Sequence, residues 1–197
     1  PNKKLLLNKT AVCFQSTSSV KIDFKKKEKI ITFIGKLNRA KGYDLFGDAI
    51  IKILNKHKNW KANVFGDEPR EKLYFYHKNL DVLGFKKNKY ILNILKKTSI
   101  SVVCSRWDEP FGRVALESSS YGCAVIISNK GGLPEASPMA IKLKNLSSKN
   151  LENIIKKLIL NEKYRINVQK RIFKSFNLTN ELASNKMDKY RKALIKF

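Results

Sequence analysis

The sequence has few cysteines and no long apolar run, and each shortage excludes a class of protein. No apolar run approaches the roughly 18 residues that a membrane-spanning helix needs, and the apolar part of residues 1–12 is too short for a signal peptide. Cys13, Cys104 and Cys123, with no C-x-x-C pair, predict neither a disulfide framework nor a zinc site. Cys104 ends an apolar run and is expected to be a small buried residue. We expect a reducing, cytoplasmic compartment.

Acidic residues are also scarce. The 197 residues hold 16 Asp and Glu against 41 Lys and Arg, a formal net charge of +25. The excess grows toward the end, since residues 142–197 hold 15 basic and 4 acidic side chains. Such a balance is typical of a solvated Lys-rich surface, or of one that faces phosphates or anionic lipid. Nucleic acid is disfavoured as a partner, because there are no RGG repeats and no basic stripe with interleaved aromatics.

Strands and helices are predicted to alternate from residue 29 onward. Short apolar, β-branched runs predict strands at 29–35, 60–66, 80–85, 99–105, 124–129 and 140–144. Apolar residues at helical spacing predict helices at 43–57, 89–98 and 114–122, and from 147 to the end. This alternation predicts an α/β fold, a Rossmann-like parallel sheet of about six strands with helices on both faces and C-terminal helices. Ligands of such sheets bind at the carboxyl ends of the strands.

The loop after the first strand, G-K-L-N-R-A-K-G at 35–42, matches neither phosphate-binding glycine motif. Without G-x-x-x-x-G-K-[ST] it is not a P-loop, and without G-x-G-x-x-G a dinucleotide-dependent oxidoreductase is disfavoured. The loop opens a helix and carries Lys36, Arg39 and Lys41. One interpretation is an anion site at the helix N-terminus, and the other is a solvated turn.

The loop after the fourth strand, D-E-P-F-G-R-V-A-L-E-S at 108–118, brings two carboxylates into this basic chain. Pro110 favours an extended backbone at Glu109, ahead of the helix that carries Glu117. Sugar hydroxyls donate hydrogen bonds to carboxylates, and a phosphate suits the positive end of a helix. The pattern therefore fits a sugar, a diphosphate and a ribose in line. The alternative is that Glu109 caps the helix and Glu117 is exposed.

A glycine pair follows the fifth strand, in S-N-K-G-G-L-P-E at 128–135. Glycine has no side chain, so such a pair lets the backbone approach a ligand closely. A simple tight turn accounts for the pair nearly as well.

Five motifs occur in order between Gly35 and Glu135. They are G-x-L-x-x-x-K-G, G-D-x-P, L-G, E-P-F-G-x-x-x-x-E and G-x-x-V-I-x-S-x-x-G-G-x-P-E. With these motifs the chain resembles the C-terminal, donor-binding half of a retaining GT-B glycosyltransferase of family 4, the "glycosyl transferases group 1". The resemblance implies one half of a GT-B fold, in which the active site lies between two Rossmann-like domains.

The resemblance also implies roles for matching residues. The implied donor-binding residues are Gly35, Lys36, Lys41, Phe111, Gly112, Arg113 and Glu117. Lys36 and Lys41 would contact the donor diphosphate, and Glu117 the ribose. Glu109 is implied as the catalytic residue, in contact with hydroxyls of the transferred sugar. Backbone N–H groups at 111–113 would meet phosphate and sugar.

Four positions depart from the family's usual pattern. Lys36 stands in place of Arg, which keeps the charge but loses the two-pronged hydrogen-bonding geometry. Arg113 replaces an apolar residue, Glu68 the second glycine of G-D-G-P, and Ala124 the proline of G-T-P-V. These departures put the fine donor specificity in doubt and leave the fold expectation unchanged.

The implied substrate is a UDP-, GDP- or ADP-sugar, with no cofactor and no metal, and a hexose would pass to a glycan or lipid-linked acceptor. Because the chain begins with Pro, we expect a piece of a longer protein. Residues 1–28 are predicted to be a linker, 29–176 the nucleotide-sugar-binding domain, and 177–197 a helix that packs toward the absent N-terminal acceptor domain. The piece alone is expected to bind donor and to transfer little sugar.

The implied setting is surface-glycan assembly in the cytoplasm, at the inner face of the membrane, with anionic lipid as a further candidate partner of the basic tail. A second hypothesis comes from another class of protein. It is a basic module that binds nucleic acid or membrane without catalysis. Glu109 and Glu117 discriminate between the two hypotheses, since a polyanion-binding surface gains nothing from carboxylates at its centre.

Overall fold

A computed structural model describes residues 12–195 of the chain, with side chains described as far as residue 193. The first part of the predicted linker, residues 1–11, and the last two residues of the predicted final helix lie outside the described residues.

Six parallel strands form one sheet, as the sequence predicts. They are β1 Glu28–Ile34, β2 Lys61–Phe65, β3 Leu80–Val82, β4 Thr98–Val103, β5 Ala124–Ser128 and β6 Ile141–Leu143. Their order in the sheet is β3-β2-β1-β4-β5-β6, the doubly wound Rossmann order. The third strand is shorter than predicted, because the backbone turns at Gly84, whose φ is 66°.

Seven α-helices are described. They are α1 Tyr43–Lys56, α2 Asn88–Lys97, α3 Arg113–Ser120, α4 Leu133–Ala136, α5 Ser148–Leu160, α6 Glu162–Ser175 and α7 Asn180–Ile195. The sequence did not predict α4, a single turn that begins beside Pro134. Crossovers between parallel strands are right-handed, so the reversal of strand order places α1 and α3 on opposite faces of the sheet. Helix α1 packs on α5, and α3 packs on α6.

The core lies between the central strands and the helices on each face. Every residue of β4 and β5 is buried, as expected for central strands of a covered parallel sheet. Helix α1 contributes an apolar face in which Phe46, Ile50 and Leu54 are fully buried, and Phe33 of β1 packs against Phe46 with ring centroids 5.1 Å apart. Each such side chain contributes about 1.5–3 kcal/mol by leaving water.

The strand order reverses between β1 and β4. These strands pair directly, with Ile31 opposite Ile100 and Phe33 opposite Val102. Their following loops, 35–42 and 104–112, therefore leave the same edge of the sheet side by side and run in opposite directions. A doubly wound sheet has its ligand crevice at this point.

The first described residues meet the last helix. Thr17 pairs with Thr179 as an isolated parallel bridge, just before α7 begins. Whether α7 packs toward a further domain stays a prediction. Among residues 12–195 no helix is long and apolar enough to cross a membrane.

Candidate functional site

Hydrogen bonds join the two loops at the strand reversal. The carbonyl of Ala40, in the loop after β1, accepts hydrogen bonds from three groups of the loop after β4. These are the backbone N–H of Arg106 at 2.8 Å, the N–H of Trp107 at 3.1 Å and the hydroxyl of Ser105 at 3.2 Å. The loops thus form one unit, because moving either one would leave a backbone carbonyl without its donors.

The backbones of these loops pass close together at Gly42 and Cys104. Gly42 has φ 74°, and a Cβ at this position would lie 2.1 Å from the carbonyl oxygen of Cys104. The Cys104 thiol donates to the carbonyl of Gly42 at 3.2 Å. The predicted burial of Cys104 is confirmed, and burial raises the pKa of its thiol to about 12. Cys104 is therefore a packing residue.

An ion pair fixes the outer part of the loop after β4. Arg106 donates to both carboxylate oxygens of Asp44, at 2.7 and 2.8 Å, and to the carbonyl of Arg39 at 2.6 Å. Burial alone would raise the pKa of Asp44, but the hydrogen bonds and charge of Arg106 outweigh it, and this pKa lies below its ordinary value. The pair attaches the loop that carries Glu109 to the start of α1.

A cavity of about 280 Å³ opens where the two loops part. Its lining includes six of the eight predicted site residues: Gly35, Lys41, Glu109, Phe111, Gly112 and Arg113. Helix α3 begins at the cavity, and Lys41 directly precedes Gly42, the N-cap of α1. Free N–H groups at the positive end of α3 therefore lie near one basic side chain, which suits an anion. We call this space the first cavity.

A carboxylate completes the first cavity. The Nζ of Lys41 donates to Oε1 of Glu109 at 2.6 Å, and the two side chains are 28% and 15% exposed. The alternative that Glu109 caps the helix is wrong, because the N-cap of α3 is Gly112, with φ 101°. The pair brings a cation for a phosphate and an acceptor for hydroxyls to one place.

Glu117 is held differently. Only 6% of the residue is exposed, so the alternative of an exposed helix residue is wrong. Its Oε1 accepts hydrogen bonds from Arg113 at 2.8 Å and from the amide of Asn88 at 3.0 Å. A second cavity of about 630 Å³ lies beside it, and Arg113 lines both cavities. The two carboxylates therefore face adjoining spaces on either side of Arg113.

Lys36 is the remaining predicted residue. It is exposed at the start of the loop after β1 and lines neither cavity. Its predicted contact with a diphosphate stays a prediction. The expected absence of a metal or cofactor also stays a prediction.

The glycine pair after β5 contacts protein. The N–H of Gly132 donates to the carbonyl of Glu109 at 2.7 Å, and a Cβ at Gly131 would lie 2.3 Å from that oxygen. A Cβ at Gly132 would lie 2.6 Å from the Cα of Phe111. The glycine pair therefore packs against the backbone of the loop that carries Glu109 and supports it, whereas a free turn would have no such contact.

Glu68, one of the departures from the family's pattern, connects two loops. It accepts hydrogen bonds from the guanidinium of Arg70 at 2.7 and 2.9 Å and from the amide of Asn38 at 3.2 Å. The hydrogen bonds from Arg70 lower the pKa of Glu68 to about 2. Asn38 in turn accepts from the N–H of Lys41 at 2.9 Å. Glu68 thus helps to hold the loop that presents Lys41.

Sequence reasoning missed the contributions of Gln15, of residues 16–18 and of Asn88. Gln15 lines the first cavity, and the others line the second. The polar run F-Q-S-T-S-S at 14–19 falls within the predicted linker, residues 1–28. A single sequence does not show which part of the fold a linker will contact. Here the contact depends on the position of the residues just before α7, which pair with Thr17.

Comparison with known proteins defines the class. The sequence model of the family "Glycosyl transferases group 1" matches residues 14–175, and the chain belongs to this family. It is 32% identical over 124 residues to spore coat protein SA of Bacillus subtilis, covering 55% of this chain and 32% of that protein. It is 34% identical over 128 residues to an uncharacterized glycosyltransferase of Methanocaldococcus jannaschii, covering 58% of this chain and 32% of that one. The chain thus spans about a third of these relatives.

Solved structures share the fold. A glycosyltransferase from Rickettsia africae superposes with a TM-score of 0.77 at 18% identity, covering 96% of this chain and 58% of that one. The C-terminal domain of a group 1 glycosyl transferase from Francisella tularensis gives 0.67 at 23% identity, covering 83% and 95%. An Anabaena protein crystallised with UDP and glucose gives 0.68 at 16% identity, covering 84% and 48%. The fold is that of one Rossmann-like half of a GT-B glycosyltransferase.

Proposed function

We propose that this chain binds the nucleotide-diphospho-sugar donor of a retaining, family 4 glycosyltransferase that transfers a hexose to a glycan or lipid-linked acceptor. The observation that carries the proposal is the Lys41–Glu109 pair, 2.6 Å apart, in a cavity at the start of α3. A cation and the N-terminus of α3 suit the diphosphate, and a carboxylate suits sugar hydroxyls. The Anabaena protein of the same fold, crystallised with UDP and glucose, supports this choice of ligand.

In the proposed reaction the bond between the anomeric carbon and the phosphate oxygen breaks. The acceptor hydroxyl oxygen bonds to that carbon on the face the phosphate leaves, and the hydroxyl proton passes to an oxygen of the departing diphosphate. Negative charge grows on the departing diphosphate, so Lys41 and the N–H groups at the start of α3 stabilise the transition state more than the ground state. Glu109 orients the sugar through its hydroxyls. The acceptor and the remaining groups belong to the N-terminal domain.

Glu117 is proposed to bind the ribose in the second cavity. Its Oε1 already accepts from Arg113 and Asn88, which holds the carboxylate in one orientation before the ligand arrives. The preset orientation reduces the entropy that binding would otherwise lose. A ribose hydroxyl would then donate to the carboxylate without a change of rotamer.

The proposed setting is the cytoplasmic face of a membrane where surface glycans are assembled. Helix α7 exposes basic and apolar side chains together: Leu182, Lys186, Met187, Lys189 and Arg191. Such a mixture suits an anionic lipid surface. Sedimentation with lipid vesicles tests this membrane contact. We expect the chain to sediment only with vesicles that contain anionic lipid. Equal sedimentation with neutral vesicles would contradict it.

Calorimetric titration with UDP, GDP and ADP tests the donor site. We expect one nucleotide to bind best, and Glu117→Gln to weaken it about tenfold by removing a charged acceptor. Glu181→Gln, at an exposed position in the first turn of α7, is the matched control and should leave the affinity unchanged. The proposal would be overturned if no nucleotide bound at millimolar concentration. It would also be overturned if all three bound equally and Glu117→Gln left their affinities unchanged.

A further inference from the structure

The segment before the domain reaches into the candidate site. We call residues 12–18 the N-terminal strap. The ring of Phe14 stacks on the ring of Phe111, with centroids 5.4 Å apart and planes 19° from parallel. Phe111 belongs to the E-P-F-G motif, lines the first cavity and is only 7% exposed. A stacked aromatic pair contributes about 0.5–1.5 kcal/mol beyond the area it buries.

The strap is held at its far end by α7 and the residues just before it. The N–H of Thr17 donates to the carbonyl of Leu178, and the N–H of Asn180 donates to the carbonyl of Thr17, both at 3.1 Å. The hydroxyl of Ser16 donates to the side-chain oxygen of Asn180 at 2.9 Å. Thr17 is 7% exposed. Two backbone bonds and a stacked ring therefore fix residues 14–17 before any ligand binds.

A second attachment lies further along the chain. Lys27 is half-buried, and its Nζ donates to the carbonyls of Tyr121 at 2.6 Å and Leu95 at 2.9 Å. Burial lowers the pKa of Lys27. Because Lys27 bonds to carbonyls at the ends of α2 and α3, the path from the strap into β1 is fixed against the same helices that flank the second cavity.

The strap contributes side chains to both cavities. Gln15 lines the first cavity with Lys41, Glu109 and Arg113. Ser16, Thr17 and Ser18 line the second cavity. A glutamine amide both donates and accepts, so it can pair with a phosphate oxygen or with a sugar hydroxyl without changing the charge of the site.

We propose that the N-terminal strap is a wall of the donor site, with the amide of Gln15 in contact with the sugar-diphosphate in the first cavity. This inference rests on the proposed function and adds a residue that the five motifs do not include. Phe14 is a positioning residue in this scheme, because it acts through its stack on Phe111. The strap would link the donor site to whatever precedes the domain.

Calorimetric titration of the 197-residue chain with UDP-glucose tests the inference. If GDP or ADP binds better than UDP, GDP-glucose or ADP-glucose is the probe. Gln15→Ala should weaken binding about 3- to 10-fold, the range of one or two lost hydrogen bonds. Ser19→Ala, an exposed neighbour outside both cavities, is the matched control and should bind like the unaltered chain. Gln15 is exposed, so its substitution should leave the far-UV circular dichroism and melting temperature unchanged.

The stack has its own pair of variants. Phe14→Ala should weaken UDP-glucose binding about 3-fold or more, whereas Phe14→Tyr keeps a stacking ring and should restore it. If Gln15→Ala binds normally while Glu117→Gln loses affinity, the inference is overturned and the proposed function stands. If the unaltered chain binds no nucleotide, the proposed function fails, and this inference fails with it.

Discussion

The two cavities on either side of Arg113 are lined by different parts of the chain. The first, of about 280 Å³, is lined mainly by the two loops at the strand reversal, whose backbones meet at Gly42 and Cys104. The second, of about 630 Å³, is lined by polar side chains of α2, α3, the N-terminal strap and the start of α7. A rigid pocket can hold the reacting groups in place, whereas a wider polar pocket has room for a ribose and its base.

The difference also concerns how each carboxylate is satisfied. Glu109 accepts a hydrogen bond from the ammonium of Lys41, which a diphosphate can attract away, so the first cavity can exchange an internal ion pair for a ligand. Glu117 accepts from Arg113 and Asn88. It gains a ligand without losing those partners, because a carboxylate has about four acceptor sites. Three predictions test this contrast, from the largest expected effect to the smallest.

Gly42→Ala should destabilise the chain by about 3 kcal/mol, combining about 1–2 kcal/mol for a left-handed residue with a Cβ and a similar cost for overpacking. The new Cβ would lie 2.1 Å from the Cys104 carbonyl oxygen. Gly84→Ala is the matched control, since its φ is also left-handed but nothing lies within 4 Å. It should lose only about 1–2 kcal/mol. Urea unfolding measures the free energy of unfolding of both variants. Equal losses would show that the loops move apart to accept the new Cβ at Gly42 at no extra cost.

Lys41→Ala should weaken binding of both UDP and inorganic pyrophosphate by about 10- to 100-fold, since it removes a charge-assisted hydrogen bond to phosphate. Glu117→Gln should weaken UDP and leave pyrophosphate unchanged, because a ribose contact is absent from that probe. Lys41→Arg keeps the charge and should recover part of the affinity. Calorimetry with the two probes makes the comparison. If the Glu117 variant also lost pyrophosphate binding, the two cavities would not bind phosphate and ribose separately, and the contrast would be wrong.

Asp44→Asn should cost about 1 kcal/mol of stability at pH 7, a modest value because Arg106 and Asp44 are partly exposed. The folded pKa of Asp44 lies below its ordinary value of 3.8, so the pair stabilises the fold above that value and the contribution is lost as pH falls through the folded pKa. The gap between variant and unaltered chain should therefore narrow as the pH falls below about 3.8. Urea midpoints at pH 7 and pH 3 measure it, and a gap independent of pH would rule out the ion pair as its cause.

Much of the fold could be predicted from local pattern. Apolar runs in strand lengths and the helical stripe at 45–54 predict the elements closely, because central strands and amphipathic helices must bury those residues wherever they pack. The third strand was predicted too long, and α4 was missed. Both errors lie where a turn decides the boundary, at Gly84 and beside Pro134.

The candidate site was predictable only in part. The motifs place Lys41 and Glu109 at strand ends, and any doubly wound sheet with β1 beside β4 brings those ends together. The partners of Glu117 were not predictable. Asn88 lies 29 residues away from Glu117 on a different helix, and Arg113, which departs from the family's pattern, donates to the carboxylate through its guanidinium.

By itself the sequence determined the class of fold, the order of the elements, the basic charge and the residues at the strand ends. These follow from local hydrophobic periodicity and from glycine and proline positions, which act over a few residues. Only the tertiary structure decided that the N-terminal strap contacts the site, that Arg113 stands between two cavities, and that the glycine pair at 131–132 supports Glu109. Those contacts join residues far apart in the chain, and packing fixes them once the whole sheet has assembled.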